Sequence, residues 1–112
     1  MITLHKLLKK VNIVPSDLLV DPEIKNISFN SRDVDKGSLF LGLPGMNVDG
    51  GIYWQDAINN GAEAVIISEN AEKKTGKINN KKVLVLKEPL DYIYGQIISE
   101  FYGRPSRKLK LV

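Results

Sequence analysis

The hydrophobic positions of this chain follow two periodicities, which alternate along its length. Near the start, apolar residues recur at three- and four-residue intervals and predict a short amphipathic helix over residues 3–10. One segment of alternating polarity and three short apolar runs predict strands, over residues 24–29, 38–43, 64–68 and 83–86.

Helical patterns separate and follow these strands. Residues 53–60 predict one helix, closed by Gly61. A longer helix is predicted from Pro89 to a stop at Gly103, because apolar side chains repeat between them at helical spacing. The polar run over residues 69–82 predicts a surface loop with room for a helical turn. Strands that alternate with helices predict an α/β fold, a small layered domain with a largely parallel sheet flanked by helices.

Composition narrows the possible chemistry. The 112 residues suffice for one small domain, and they contain no cysteine and a single histidine, so thiolate and histidine-rich metal sites are excluded and no metal is expected. The net charge of +3 comes from dispersed lysines without interleaved aromatic residues, so no nucleic-acid partner is expected. The chain shows neither a signal peptide nor an apolar run near the roughly 20 residues of a membrane span. We therefore expect a cytoplasmic protein without a membrane partner.

A glycine-rich segment joins the strand over residues 38–43 to the helix over residues 53–60. It contains Pro44, Gly45, Gly50 and Gly51. Glycine lets the backbone approach a ligand closely, and the first turn of the following helix offers free N–H groups. This order predicts a ligand pocket that favours an anion, often a phosphate.

Phe29 and Ser31 are candidate ligand contacts beside that segment. Residues two apart in a strand share a face, so the ring and the hydroxyl group can address one ligand together. The local pattern alone is also satisfied if Phe29 is a core residue and Ser31 begins a turn.

A series of short motifs lies between residues 31 and 62, and its members are Ser31-Arg32, Gly37-Ser38-Leu39-Phe40, Gly45, Asp49-Gly50, Ala57 and Gly61-Ala62. In order and spacing they resemble the N-terminal domain of the Mur ligases, cytoplasmic enzymes of peptidoglycan precursor synthesis. Residues 101–106, with the sequence FYGRPS, are similar to the segment that precedes the ATP-binding loop of one member. That member joins the third amino acid to UDP-N-acetylmuramoyl-L-alanyl-D-glutamate.

The resemblance implies roles for particular residues. Ser31 matches the serine that contacts the uridine of the substrate, and Phe29 matches a bulky residue against the same group. Met46, Asn47 and Val48 match a variable triplet that meets the uracil and the diphosphate, which makes all five residues candidate substrate contacts.

Three further positions leave the phosphate contacts open. Arg32 suits either a phosphate contact or an ion pair with one of three nearby aspartates, at positions 33, 35 and 49. Asn30 stands where the family usually has aspartate, which removes a charge and keeps a hydrogen-bond acceptor. Gly51 stands where a histidine or arginine is common.

The resemblance also implies a domain plan. Residues 1–102 are expected to bind the UDP-N-acetylmuramoyl-dipeptide substrate, and residues 103–112 to form a linker and the first strand of a central ATP-binding domain. No G-x-x-x-x-G-K-[ST] motif occurs, so we expect an inactive fragment without catalytic residues. ATP, magnesium and the catalytic groups are expected to belong to the central and C-terminal domains of the full-length ligase. The alternatives are the neighbouring Mur ligase that adds the terminal D-Ala-D-Ala dipeptide and a non-catalytic small-ligand-binding module.

Overall fold

The computed structural model describes residues 2–14, 18, 20–43, 50–87 and 89–106, and for residues 103–106 it describes the backbone alone. The elements follow in the order β1 (Ile2–Thr3), α1 (Leu4–Lys10), β2 (Glu23–Ile24), β3 (Asn26–Ser28), β4 (Ser38–Leu41), a 3-10 helix (Gly50–Tyr53), α2 (Trp54–Asn59), β5 (Ala64–Ser68), α3 (Glu69–Thr75), β6 (Val83–Leu86) and α4 (Asp91–Ser106).

A sheet of four parallel strands, in the order β3-β4-β5-β6, forms the centre of the fold. This confirms the predicted α/β class and the parallel sheet. The strand predicted over residues 24–29 is interrupted at Lys25, so Ile24 pairs with Ile2 in a separate antiparallel ribbon while residues 26–28 join the main sheet. At the change of sheet the Lys25 N–H donates to the Gly37 carbonyl, 2.8 Å away, next to the first pair of β3 with β4.

Side-chain alternation along the strands builds two hydrophobic cores, one on each face of the sheet. One face packs against α1 and α4 through Leu39, Leu41, Ala64, Ile66 and Leu84. The opposite face packs against α2 and α3 through Phe40, Val65, Ile67 and Val83. Because both faces are covered, the central strands read in the sequence as continuous apolar runs rather than as alternating ones.

The segment after β5 corrects the sequence-based prediction of a loop over residues 69–82. Its first half is α3, a helix of seven residues. The Ser68 hydroxyl accepts a hydrogen bond from the Ala71 N–H at 3.1 Å and caps the helix, while acidic residues in the first turn and lysines in the last turn suit the helix dipole. Capping and charge therefore form this helix without an extended apolar stripe.

The last helix differs from its prediction at both ends. It begins at Asp91 rather than at Pro89, because its first helical hydrogen bond runs from the Tyr94 N–H to the Leu90 carbonyl at 2.8 Å. It continues through Gly103 to Ser106, so the predicted glycine stop is wrong. A glycine inside a helix costs only about 1 kcal/mol relative to alanine, which is too little to end a helix by itself. The strand predicted over residues 109–112 lies outside the described residues.

Candidate functional site

A cavity of about 500 Å³ opens where β3 and β4 end. Its lining comes from the turn after β3, from the end of β4 and from the start of the segment that leads into α2, and consists of Phe29, Asn30, Ser31, Arg32, Phe40, Leu43, Gly50, Tyr53 and Asp56. The carboxyl ends of parallel strands are the usual ligand-binding side of an open α/β sheet. The cavity therefore lies where the fold class favours a site, and the candidate contacts Phe29 and Ser31 are part of its lining.

The turn after β3 is held in place by Asn30. Its side-chain oxygen accepts a hydrogen bond from the Arg32 N–H at 2.9 Å, and its carbonyl accepts one from the Asp33 N–H at 3.0 Å. The Ser28 hydroxyl bonds to both the N–H and the carbonyl of Asn30. The structural need at this position is an acceptor, which a carboxamide supplies as well as a carboxylate. Asparagine at this position therefore meets the needs of the turn.

Ser31 is the buried polar residue of the cavity lining, with 8% of its surface exposed. Its carbonyl accepts a hydrogen bond from the Asn60 side-chain amide at 2.9 Å, which ties the turn to the end of α2. Among the described residues, the Ser31 hydroxyl has no hydrogen-bond partner. A hydroxyl group offers one donor and two acceptor positions, so Ser31 keeps hydrogen-bonding capacity for a ligand.

Apolar side chains surround this serine. Phe40 is buried beneath the cavity, while Phe29, Leu43 and Tyr53 are each 40–44% exposed. The interpretation of Phe29 as a core residue is therefore wrong, since a core ring would be covered. Half-exposed apolar groups gathered around a cavity are typical of a small-molecule site rather than of scattered surface residues.

The cavity rim carries one cation and one carboxylate, Arg32 and Asp56, and both side chains are exposed. Within the described residues, no ion pair joins Arg32 to an acidic group, Asp33 and Asp35 included. Asp49, the third partner considered, lies outside the described residues. The guanidinium is therefore free of its two described candidate partners and can meet an anion at the rim.

The base of the glycine-rich segment is closed by backbone contacts. The Gly50 N–H donates to the Leu43 carbonyl at 2.7 Å, so this group is not available to an anion. A methyl group added to Gly42 would overlap the Cα of Gly51, which shows that the two backbones touch. Residues 44–49 between them, including the candidates Met46, Asn47 and Val48, lie outside the described residues.

Sequence analysis did not identify Leu43 and Tyr53 as parts of the site. Leu43 was assigned to a strand and Tyr53 to the start of a helix, and neither assignment indicates a cavity. Strand β4 ends at Leu41, and Tyr53 ends the 3-10 helix, so both residues lie in the connection that folds back over the sheet end. The only sequence signal for this fold-back connection was the pair of glycines at its two ends.

Within the described part of the chain, no group of three or more histidine, cysteine, aspartate or glutamate residues is placed to hold a metal ion. None of the helices in the same part of the chain has the length and apolar character needed to cross a bilayer.

Comparison with known proteins gives concordant results. The model of the Mur ligase family, catalytic domain, matches residues 23–102. A UDP-N-acetylmuramoyl-L-alanyl-D-glutamate–2,6-diaminopimelate ligase from Prochlorococcus marinus subsp. pastoris is 60% identical over 99% of this chain, and one of the same name from another Prochlorococcus marinus strain is 43% identical over 97%. Among solved structures, MurF from Acinetobacter baumannii superposes on 91% of this chain with a TM-score of 0.58 and 22% identity, which shows a shared fold.

The chain spans only about a fifth of the length of these sequence relatives, 22% of the first and 21% of the second. The match nevertheless runs over almost all of the chain, and the family model covers more than half of it. The chain belongs to the Mur ligase family.

Proposed function

We propose that this chain is the substrate-binding domain of an ATP-dependent amide ligase that adds an amino acid to UDP-N-acetylmuramoyl-L-alanyl-D-glutamate, and that its cavity holds the uridine end of that substrate. The observation that carries the proposal is Ser31, a nearly buried serine without a described hydroxyl partner, set among half-exposed apolar side chains. A uracil ring needs this combination, because its faces are apolar and its edge carries donors and acceptors. The names of the sequence relatives support 2,6-diaminopimelate as the amino acid.

The domain contributes binding and orientation. Uridine held at the end of the sheet fixes one end of a long substrate, and binding energy obtained far from the reacting carboxylate can then position that carboxylate for attack. We assign no chemical step to residues of this chain. We place the substrate-binding site in residues 1–102, with Met46, Asn47 and Val48 as further contacts. We also place the complete ligase in the cytoplasm.

We expect only the complete ligase to require ATP and magnesium. The chain has no G-x-x-x-x-G-K-[ST] motif to wrap phosphate groups, and the glycine-rich segment before α2 lacks the lysine and hydroxyl pair of such a loop. The residues of this chain therefore do not fit a binding site for a nucleoside triphosphate and its metal ion.

The names of the sequence relatives favour one of the two ligases that the motifs suggested. The relatives at 60% and 43% identity carry the name of the ligase that adds the third residue. The structural likeness to MurF, at 22% identity, reflects the fold alone. We therefore favour the third-residue ligase over the one that adds the terminal dipeptide.

The isolated chain is expected to release no phosphate when it is given ATP, magnesium, substrate and amino acid, because the phosphate-binding loop is absent from its sequence. A phosphate-release assay checks this, with the complete ligase as the positive control. Substrate-dependent turnover by the purified chain that survives a further purification step would contradict the proposal that the catalytic groups lie outside this chain.

Arg32→Gln is expected to weaken UDP binding about tenfold, because a hydrogen bond to a charged group contributes about 1.5 kcal/mol at the low end of its range. The low end applies because the side chain is exposed and salt screens it. Uridine binding should remain unchanged, since uridine carries no phosphate. Isothermal titration of both ligands measures the difference, and Lys36→Gln, an exposed cation outside the cavity lining, is the matched control. Equal losses for UDP and uridine would show that Arg32 supports the turn instead of contacting phosphate.

A further inference from the structure

The hydroxyl group of Tyr94 lies at the point where β4 ends. Tyr94 belongs to α4 and is 2% exposed, and its hydroxyl oxygen is 2.9 Å from the Gly42 carbonyl and 3.0 Å from the Ile66 carbonyl. The Gly42 N–H donates to that same Ile66 carbonyl at 2.9 Å. A hydroxyl has one proton, so the two carbonyls share it as acceptors at the last rung between β4 and β5.

Gly42 leads directly into the cavity. The next residue, Leu43, contributes its side chain to the cavity lining and its carbonyl to the hydrogen bond with the Gly50 N–H. Gly50 begins the 3-10 helix whose last residue, Tyr53, also lines the cavity. Because the backbones of Gly42 and Gly51 are in contact, Gly42 has no room to shift toward Gly51. A displacement of the Gly42 carbonyl would therefore reach two walls of the cavity.

We propose that Tyr94 is a positioning residue for the cavity: its hydroxyl fixes the Gly42 carbonyl and thereby holds Leu43 and the base of the glycine-rich segment in the arrangement that binds a nucleoside diphosphate. The nature of the ligand rests on the proposed function, whereas the coupling between Tyr94 and Gly50 does not. Phenylalanine would fill the same apolar space between α4 and the sheet. The hydroxyl is thus the part of the side chain that the hydrophobic core does not need, and burial of a hydroxyl is tolerated only because it is hydrogen-bonded.

Tyr94→Phe tests the inference, because it removes one oxygen atom and retains the ring. Tyr92→Phe is the first control, since Tyr92 lies on the same helix and is 75% exposed. Ile97→Val is the second control, because Ile97 is fully buried on the same helix and its truncation weakens the core without removing a hydrogen-bonding group. The two measurements are the Kd for UDP and the hydrogen-exchange rate of the Gly50 amide in the ligand-free chain.

For Tyr94→Phe we expect the Gly50 amide to exchange about two- to twelvefold faster and the Kd for UDP to rise by a similar factor, the range of one neutral hydrogen bond. Both controls should leave the Kd as in the original chain, and amides of β6 should exchange alike in Tyr94→Phe and Ile97→Val. Unchanged Gly50 exchange in Tyr94→Phe would overturn the inference, as would an equal loss of UDP affinity in Ile97→Val. If the original chain does not bind UDP, the proposed function fails, and Gly50 exchange alone decides whether Tyr94 positions this segment.

Discussion

Replacing Gly42 with alanine is expected to destabilise the chain by about 1–3 kcal/mol, the usual cost of forcing an extra methyl group into a packed interior. The added Cβ would overlap the Cα of Gly51 and approach its backbone nitrogen to 2.8 Å. Backbone atoms cannot rotate away as a side chain would, so the 3-10 helix must shift and carry Tyr53 with it. UDP affinity should fall along with stability. Urea unfolding measures the first effect and calorimetric titration the second.

Gly95→Ala is the matched control for this substitution. Gly95 lies within α4, is exposed, and has no atom within 4 Å of an added Cβ. Alanine should therefore stabilise the helix by about 0.5–1 kcal/mol relative to glycine and leave UDP binding unchanged. If Gly42→Ala has the same stability and the same UDP affinity as the original chain, the end of β4 does not need its close approach to the 3-10 helix.

Phe29→Ala is expected to lower the affinity for UDP by about 1–3 kcal/mol, roughly five- to 150-fold, which is the cost of removing an aromatic ring from a stacked base. The folded chain should lose little stability, because Phe29 is 41% exposed and contributes to neither hydrophobic core. Titration calorimetry with UDP and with uridine checks the effect, and the two ligands should lose affinity equally since both carry the base.

Tyr92→Ala is the control for the loss of an exposed ring, because Tyr92 is 75% exposed on the outer side of α4. Its affinity for UDP should equal that of the original chain. If Phe29→Ala also binds UDP normally, the cavity does not hold the base in the way proposed.

The four strands of the main sheet could be predicted from the sequence, but the ribbon of β1 and β2 could not. Strands β5 and β6 have the predicted bounds, because an apolar run covered on both faces begins and ends where the sheet does. Helix α3 was predicted only as a helical turn within a loop, because a serine cap and terminal charges form it and the prediction relied on apolar periodicity. The break at Lys25 lies beside a hydrogen bond to Gly37, a residue that the pattern of residues 24–29 does not include.

The candidate site could be predicted only in part. Phe29 and Ser31 were candidates because of their expected spacing in a strand and the motif around them, but β3 ends at Ser28 and both residues line the cavity from the turn that follows. Their contact with a ligand stays a prediction. Tyr94 illustrates the other case, since its hydroxyl bonds to residues 52 and 28 positions away and its spacing in α4 fits an ordinary core position. Contacts of this kind arise only once the chain has folded. The roles of Met46, Asn47 and Val48 stay predictions.

The most direct test of the account is an amide chemical-shift titration of the isotopically labelled chain with UDP. We expect the shifts that move to belong to residues 29–32, 42–43 and 50–53, while amides at the far side of the molecule, such as those of α1 and of the segment over residues 76–82, stay in place. Saturating UDP without movement of the shifts of residues 29–32 would contradict the assignment of this cavity to the uridine of the substrate.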